Sequence, residues 1–167
     1  VSLAADIAEG RRGGRPDAAY VVFAAFGLVL ASEYPRARTL VGAQVDAARE
    51  AGALGVLPFA LYASALLDIR TGRFATAYAN ASEAAQLAAD TDAPLWRYCA
   101  LGCLALVEAV RGDEDTCRRH VAEALELSAG LGLEYPRDVE DALGLLELGL
   151  GRSEEAITHL ERANRLA

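Results

Sequence analysis

Cys99 and Cys103 are the first residues in this chain whose type and spacing suggest chemistry. Four apart, they share one face of a helix and could supply half of a soft-metal site. No second pair of ligands follows at matching spacing, so both read as small buried side chains in an Ala-rich helix. Glu155 and His159 stand at the same interval, which suits an ion pair on an exposed helical face better than a metal. The H-E-x-x-H arrangement is absent. Catalysis would need a nucleophile beside a base, carboxylates in split environments or a metal cluster. The chain offers none of these, so no catalytic residue, no metal ligand and no cofactor is expected in this stretch.

Three carboxylates stand apart from that inventory because they recur. Asp68, Glu108 and Glu147 follow one another at intervals of 40 and 39 residues, each inside an apolar run. Regular spacing implies a repeated element that brings equivalent positions into register. With repeats packed at helix–helix distances of about 8–10 Å, the three would line one face as an acidic stripe. Tyr62, Leu66, Ile69 and Leu106 flank it, and a cationic or amphipathic partner would suit such a surface. The other reading, left open at this point, is a solvated face partly neutralised by Arg70 and Arg111.

The repeat is explicit in the sequence. Residues 65–88, 105–128 and 144–167 superimpose without a gap, with turn glycines at Gly72, Gly112 and Gly151. A weaker first copy turns at Ser32. Each copy reads as two amphipathic helices joined where glycine supplies a left-handed backbone. The expected helices are 16–31, 35–51, 57–70, 73–90, 94–110, 113–130, 136–149 and 152–166. Pro16, Pro58, Pro94 and Pro136 open first helices and Pro35 opens a second, the one part of a helix that tolerates proline. Small residues recur seven before the turn (Ala25, Ala65, Ala105, Gly144) and five after it (Ala37, Ala77, Cys117, Ala156). The position nine after is usually larger (Val41, Val121 and Leu160, but Ala81), which interlocks the paired helices. His120 and His159 both stand eight after a turn. Asp113, Glu114 and Asp115 start a helix, where acids oppose the dipole and cap free amides. Trp96 and Tyr98 read as packing between copies, with a ligand cage as the open alternative.

With 167 residues, 53% hydrophobic and 24% charged, the chain can bury one substantial core. A net charge of −8 argues against a nucleic-acid surface. The Arg11, Arg12 and Arg15 cluster, broken by Gly13 and Gly14, reads as a solvated loop. All 16 basic residues are Arg and Met is absent, a bias expected of a GC-rich bacterial genome. Three cysteines without a secretory signal or a membrane-length apolar run fit a cytoplasmic compartment. The expected fold is all-α, a right-handed solenoid of about four helical hairpins in a single domain over 1–167. Its repeats are placed at about 16–52, 56–92, 94–132 and 135–167, and residues 1–15 are the end of a preceding repeat plus a loop.

The small residues at seven before, five after and twelve after the turn (Ala84, Ala124, Ala163) resemble the tetratricopeptide signature. The period near 40, against about 34 in the ordinary repeat, points to an elongated bacterial variety. The wording of ALGLLELGLGRSEEAITHLE (142–161) and of residues 48–88 resembles the helical-repeat region of large ATP-dependent, maltose-activator-like LuxR-type transcriptional regulators. In that family a nucleotide-binding domain precedes the repeats and a helix-turn-helix domain follows them. The resemblance implies a non-catalytic module that senses a small-molecule inducer or a regulatory protein or peptide and couples it to other domains of the parent chain. Contact with nucleic acid or membrane by this stretch is not implied. Similar repeats occur in cyclase- and kinase-linked ATPases, which leaves a protein-binding scaffold as the alternative. A G-x-x-x-x-G-K-[ST] loop is impossible here, because the chain has no Lys. Residues 1–9 and 152–166 are expected to carry apolar faces that neighbouring repeats would cover. Self-association into a homo-oligomer is therefore the expected outcome of sedimentation at rising concentration, and a strict monomer would contradict it.

Overall fold

The computed structural model describes residues 18–133 and 137–165, and among them there are eight helices and no strand. They are α1 (Ala18–Leu30), α2 (Tyr34–Glu50), α3 (Leu57–Arg70), α4 (Phe74–Asp90), α5 (Pro94–Arg111), α6 (Glu114–Leu131), α7 (Arg137–Gly149) and α8 (Ser153–Arg165). The expected helix remnant at 1–9, the arginine loop at 11–15, Pro16 and Pro136 lie outside the described residues. Pro35, Pro58 and Pro94 occupy the first two positions of α2, α3 and α5, where the missing amide costs nothing.

Among the described residues, every connection between helices includes a left-handed residue. Ser32, Gly52, Gly72, Asp92, Gly112, Gly132 and Gly151 have φ between +51° and +76° and follow one another at 20-residue intervals, the last at 19. The sequence reading recognised the turns at 32, 72, 112 and 151. It missed the alternate series at 52, 92 and 132, because Asp92 interrupts the glycines. At all seven turns the next amide reaches back to the carbonyl five residues earlier. Glu33 donates to Leu28, Arg73 to Asp68, Asp113 to Glu108 and Arg152 to Glu147, all at 2.8–3.0 Å. Ala53, Ala93 and Leu133 do the same to Ala48, Ala88 and Ser128. That bond satisfies a carbonyl the helix itself leaves orphaned.

Packing follows chain order. Each helix touches its successor, and the odd-numbered helices also touch the next odd one: α1 with α3, α3 with α5, α5 with α7. Small residues set the approach within pairs. Ala25, Ala65, Ala105, Ala37, Ala77, Cys117, Ala156, Ala84 and Ala124 are all within 1% of full burial. Cys117 Sγ donates to the Ala105 carbonyl at 3.3 Å, so α5 and α6 meet at side-chain-to-backbone range. At Gly144 a Cβ would lie 2.6 Å from Leu160 Cγ, the knob from α8 filling the hole on α7.

The odd helices are joined by aromatic rings as well. Phe23 and Phe26 of α1 meet Phe59 of α3 at 5.6 and 6.4 Å between centroids, and Phe59 stacks on Trp96 of α5 at 4.3 Å. Tyr62 lies 5.8 Å from Phe26 and 6.4 Å from Trp96. Such pairs contribute about 0.5–1.5 kcal/mol each beyond their buried area. Trp96 therefore packs between successive helix pairs. Leu28, Leu61, Leu67, Val107 and Leu146 complete the interior at full burial, each contributing roughly 1.5–3 kcal/mol.

The turns generate a prediction of opposite signs. Gly112 has φ +76°, where an alanine Cβ is strained, so Gly112→Ala lowers stability by about 1–2 kcal/mol. Ser32 already carries that strain at φ +60°, so Ser32→Gly raises it. Thermal midpoints should move down and up respectively, by roughly 2–4 °C per kcal/mol.

Candidate functional site

Asp68, Glu108 and Glu147 each stand four residues before a turn, at the C-terminal end of an odd-numbered helix, and each owns the carbonyl that closes that turn. A carboxylate there faces the negative end of the helix dipole. All three are buried, with 1%, 1% and 4% of their surface exposed. Neither an open acidic stripe nor a solvated face exists at these positions. Buried and opposed by the dipole, each carboxylate requires a compensating partner.

Asp68 finds its partner on the preceding pair. Arg38 of α2 donates Nη1 to Asp68 Oδ1 at 2.5 Å, and its Nη2 reaches Thr71 Oγ1 at 2.9 Å. Asn80 Nδ2 donates to Oδ2 at 3.3 Å, and Arg73 Nε lies 3.5 Å from Oδ1. Glu147 repeats the scheme: Arg118 of α6 donates at 2.5 Å and Arg152, just past the turn, at 3.1 Å. Arg38 and Arg118 both stand six residues after a turn, exactly eighty apart in sequence. Burial lifts the Glu147 carboxyl, and the guanidinium groups of Arg118 and Arg152 outweigh that lift and hold it below the usual range. Arg152 and Arg118 also hold Glu114 low, at 2.8 Å each, so Glu114 serves this network while Asp113 makes no side-chain capping bond.

Glu108, at the joint between α4 and α5, is built differently. Tyr78 occupies the position of Arg38 and Arg118, and Asp113 that of Arg73 and Arg152. Glu108 Oε2 pairs with His120 Nδ1 of α6 at 2.9 Å. Arg111, expected to neutralise Glu108, lies over the Tyr78 ring with Cζ 4.8 Å from the centroid. His159, expected to pair with Glu155 along its own helix, instead reaches across to Glu140 of α7 at 2.6 Å, because it faces the α7 side of the pair.

The apolar candidates do not ring an open site. Tyr62, Leu66, Ile69 and Leu106 are partly buried and pack on the core formed by α3 to α7. Around Tyr62 the structure gathers groups that sequence spacing did not connect: Tyr98, Cys99 and Cys103 of α5 and Asp138 of α7. Asp138 approaches so closely that a Cβ on Gly102 would lie 3.2 Å from its own. Burial pushes the Tyr62 and Tyr98 phenols up, the Cys99 thiol to about 12 and the Cys103 thiol well above its ordinary value. Cys117 is raised to about 11 by its burial. These thiols carry no nucleophilic thiolate near neutrality. Burial also raises Asp138.

Between α4, α5 and α6 lies a cleft of about 240 Å³, lined on its polar side by Tyr78, Ser82, Gln86, Arg97, His120 and Glu123. Arg97 and Glu123 are ion-paired across it. Of its lining the sequence marks only His120, for its place eight after a turn, because the other residues come from three helices at unremarkable spacing. Among the described residues no helix is long and apolar enough to cross a membrane, and no three metal-ligating side chains converge. The chain matches no known family model and no curated protein.

Glu147 and Asp138 impose opposite pH dependences. Glu147 is depressed, so its contribution is present above the ordinary carboxyl value of 4.5 and disappears as pH falls through and below it. Asp138 is raised, so its ionisation costs stability above the ordinary value of 3.8. Glu147→Gln should lower the midpoint of denaturant unfolding at pH 7, with the gap from the parent chain closing below pH 4.5. Asp138→Asn should raise the midpoint at pH 7.

Proposed function

We propose that this chain is a tetratricopeptide-like helical-repeat module, a right-handed solenoid of about four hairpins in one domain, that binds a small molecule or regulatory protein and couples it to other domains of a LuxR-type transcriptional regulator. On this reading it is cytoplasmic, non-catalytic and free of cofactors. The observation that carries the proposal is the pattern of contacts. Among the described residues the helix packing is concentrated between neighbours and, for the odd helices, next-but-one neighbours in the chain, and polar side chains tie successive pairs at equivalent positions. A stack so organised can change its pitch at one joint without disrupting the packing within pairs. A ligand that binds one joint arrangement better than another shifts the whole stack by that difference in affinity.

The joints offer two grades of attachment. At α2–α3 and α6–α7 a guanidinium reaches a buried carboxylate, and breaking such a pair costs about 3–5 kcal/mol when one partner remains buried. At α4–α5 the equivalent side chain is a tyrosine carrying Arg111 on its ring. The middle joint is therefore held by packing rather than by a buried ion pair.

The reading of the coding sequence on either side of this chain tests the proposal. A phosphate-binding loop upstream and a helix-turn-helix downstream are expected. A cyclase or kinase domain in their place would favour a scaffold, and flanking catalytic repeats of another class would overturn the sensing role. In the regulator so defined, Arg118→Leu should leave nucleotide hydrolysis intact while uncoupling it from the inducing signal, measured as DNA-binding response to inducer.

A further inference from the structure

The repeat copies can be compared with one another at the positions that meet the following pair. Six residues past the turn, Arg38 reaches Asp68 and Thr71, Tyr78 holds Arg111 on its ring, and Arg118 reaches Glu147. Each of these is a contact with the next pair. Six before the turn, Phe26 packs on Phe59 and Tyr62, again of the next pair. In the first three copies these two positions, and those three before and nine after the turn, are all buried or half-buried.

The fourth copy exposes all four. Leu145 is 39% exposed, Leu148 56%, Ile157 57% and Leu160 37%, whereas Val41, Ala81 and Val121, the equivalents of Leu160, stay within 5% of full burial. Among the described residues, α7 and α8 thus present a joint face that is open and wholly apolar at these positions. It differs from its predecessors in one chemical respect: the cation or phenol six past the turn is replaced by isoleucine. Arg38 and Arg118 each need a buried carboxylate opposite them. Two such faces set against each other would oppose like charges, but Ile157 asks for an apolar surface and its own copy provides one.

The joints within the chain offer no other seat. The acceptor position four before each turn is closed at Leu28, Asp68, Glu108 and Glu147, all of them at most 4% exposed. A self-complementary face without an open acceptor pairs isologously, and the assembly closes at two. We propose that the α7–α8 face is a two-fold homodimer interface, in which Leu145, Leu148, Ile157 and Leu160 of one copy pack on the same residues of another. The proposal gives a surface and a stoichiometry to the self-association expected from sequence, and it does not rest on the sensing role. Two 13-residue helices side by side, each about 20 Å long and about 8–10 Å from its neighbour, cover roughly 400 Å² per copy. That is about half of the roughly 800 Å² per partner in a standard interface, so the dimer is a weak one.

Sedimentation equilibrium of the whole chain between about 1 μM and 1 mM measures it. The mass should double and then stop rising, with a Kd of roughly 10–300 μM. Ile157→Arg installs the residue that positions 38 and 118 carry, so it should fold, keep its thermal midpoint at the lowest concentration and raise Kd at least about tenfold. Leu148→Glu should raise Kd likewise from the other helix, which keeps the test informative if one variant unfolds. Val110→Arg, at a residue of α5 that is 49% exposed, should leave Kd unchanged and so separates this face from general stickiness. A monomer at about 1 mM, growth beyond two as a head-to-tail stack gives, parental Kd in a folded Ile157→Arg or Leu148→Glu chain, or an equal loss in Val110→Arg would overturn the proposal.

Discussion

A helix can stop on a left-handed residue only if the following amide reaches back to a carbonyl the last turn has exposed, and this chain meets that condition about every twenty residues. The constraint fixes more than the ends of helices. It sets where each helix reverses, and hence which residues face the partner: the small side chains seven before and five after the turn fall opposite one another. Glycine satisfies the backbone at five of the seven turns, while Ser32 and Asp92 accept the strain of a Cβ there. The architecture depends on the conformation rather than on glycine itself.

The same geometry creates the electrostatic problem that distinguishes the joints. The residue whose carbonyl closes an odd-to-even turn also projects its side chain inward, where the next helix arrives. An aliphatic residue there, as with Leu28, simply fills space. A carboxylate there is desolvated and repelled by the dipole, so it makes the joint contingent on a cation from elsewhere. Polar groups buried in this way add little to net stability compared with an apolar filling, and they fix one relative placement of neighbouring pairs in exchange. Arg38 and Arg118 do so across their joints; Glu108 instead pairs with His120 inside its own α5–α6 pair.

Much of this layout was legible in the residues. Glycines at 72, 112 and 151, with phase-matched small residues around them, located the pairs, and proline placed the helix starts. Ser32 was found only because its neighbours Tyr34 and Ala37 kept the phase. Legibility failed where two distant residues had to be read together. Asp68 looked exposed because charge on a helix usually is, yet Leu67 before it and Ile69 after it already marked an inward face. Its partner lies thirty residues away, and nothing local to Arg38 announces the contact. His159 misled for the same reason: the nearby Glu155 was the obvious partner on one helix, and the actual one belongs to α7.

Because helix packing among the described residues is concentrated between neighbours and next-but-one neighbours in the chain, folding here has little need to close a long loop. Each pair can nucleate by itself and recruit the next, so order spreads along the chain as a zipper does, at the speed expected of low contact order. The chain therefore has no single nucleus whose damage is fatal. The most extensive contact between pairs is at the middle joint, where α3 and α4 both pack on α5, so a zipper is slowed at the joints on either side of it rather than there.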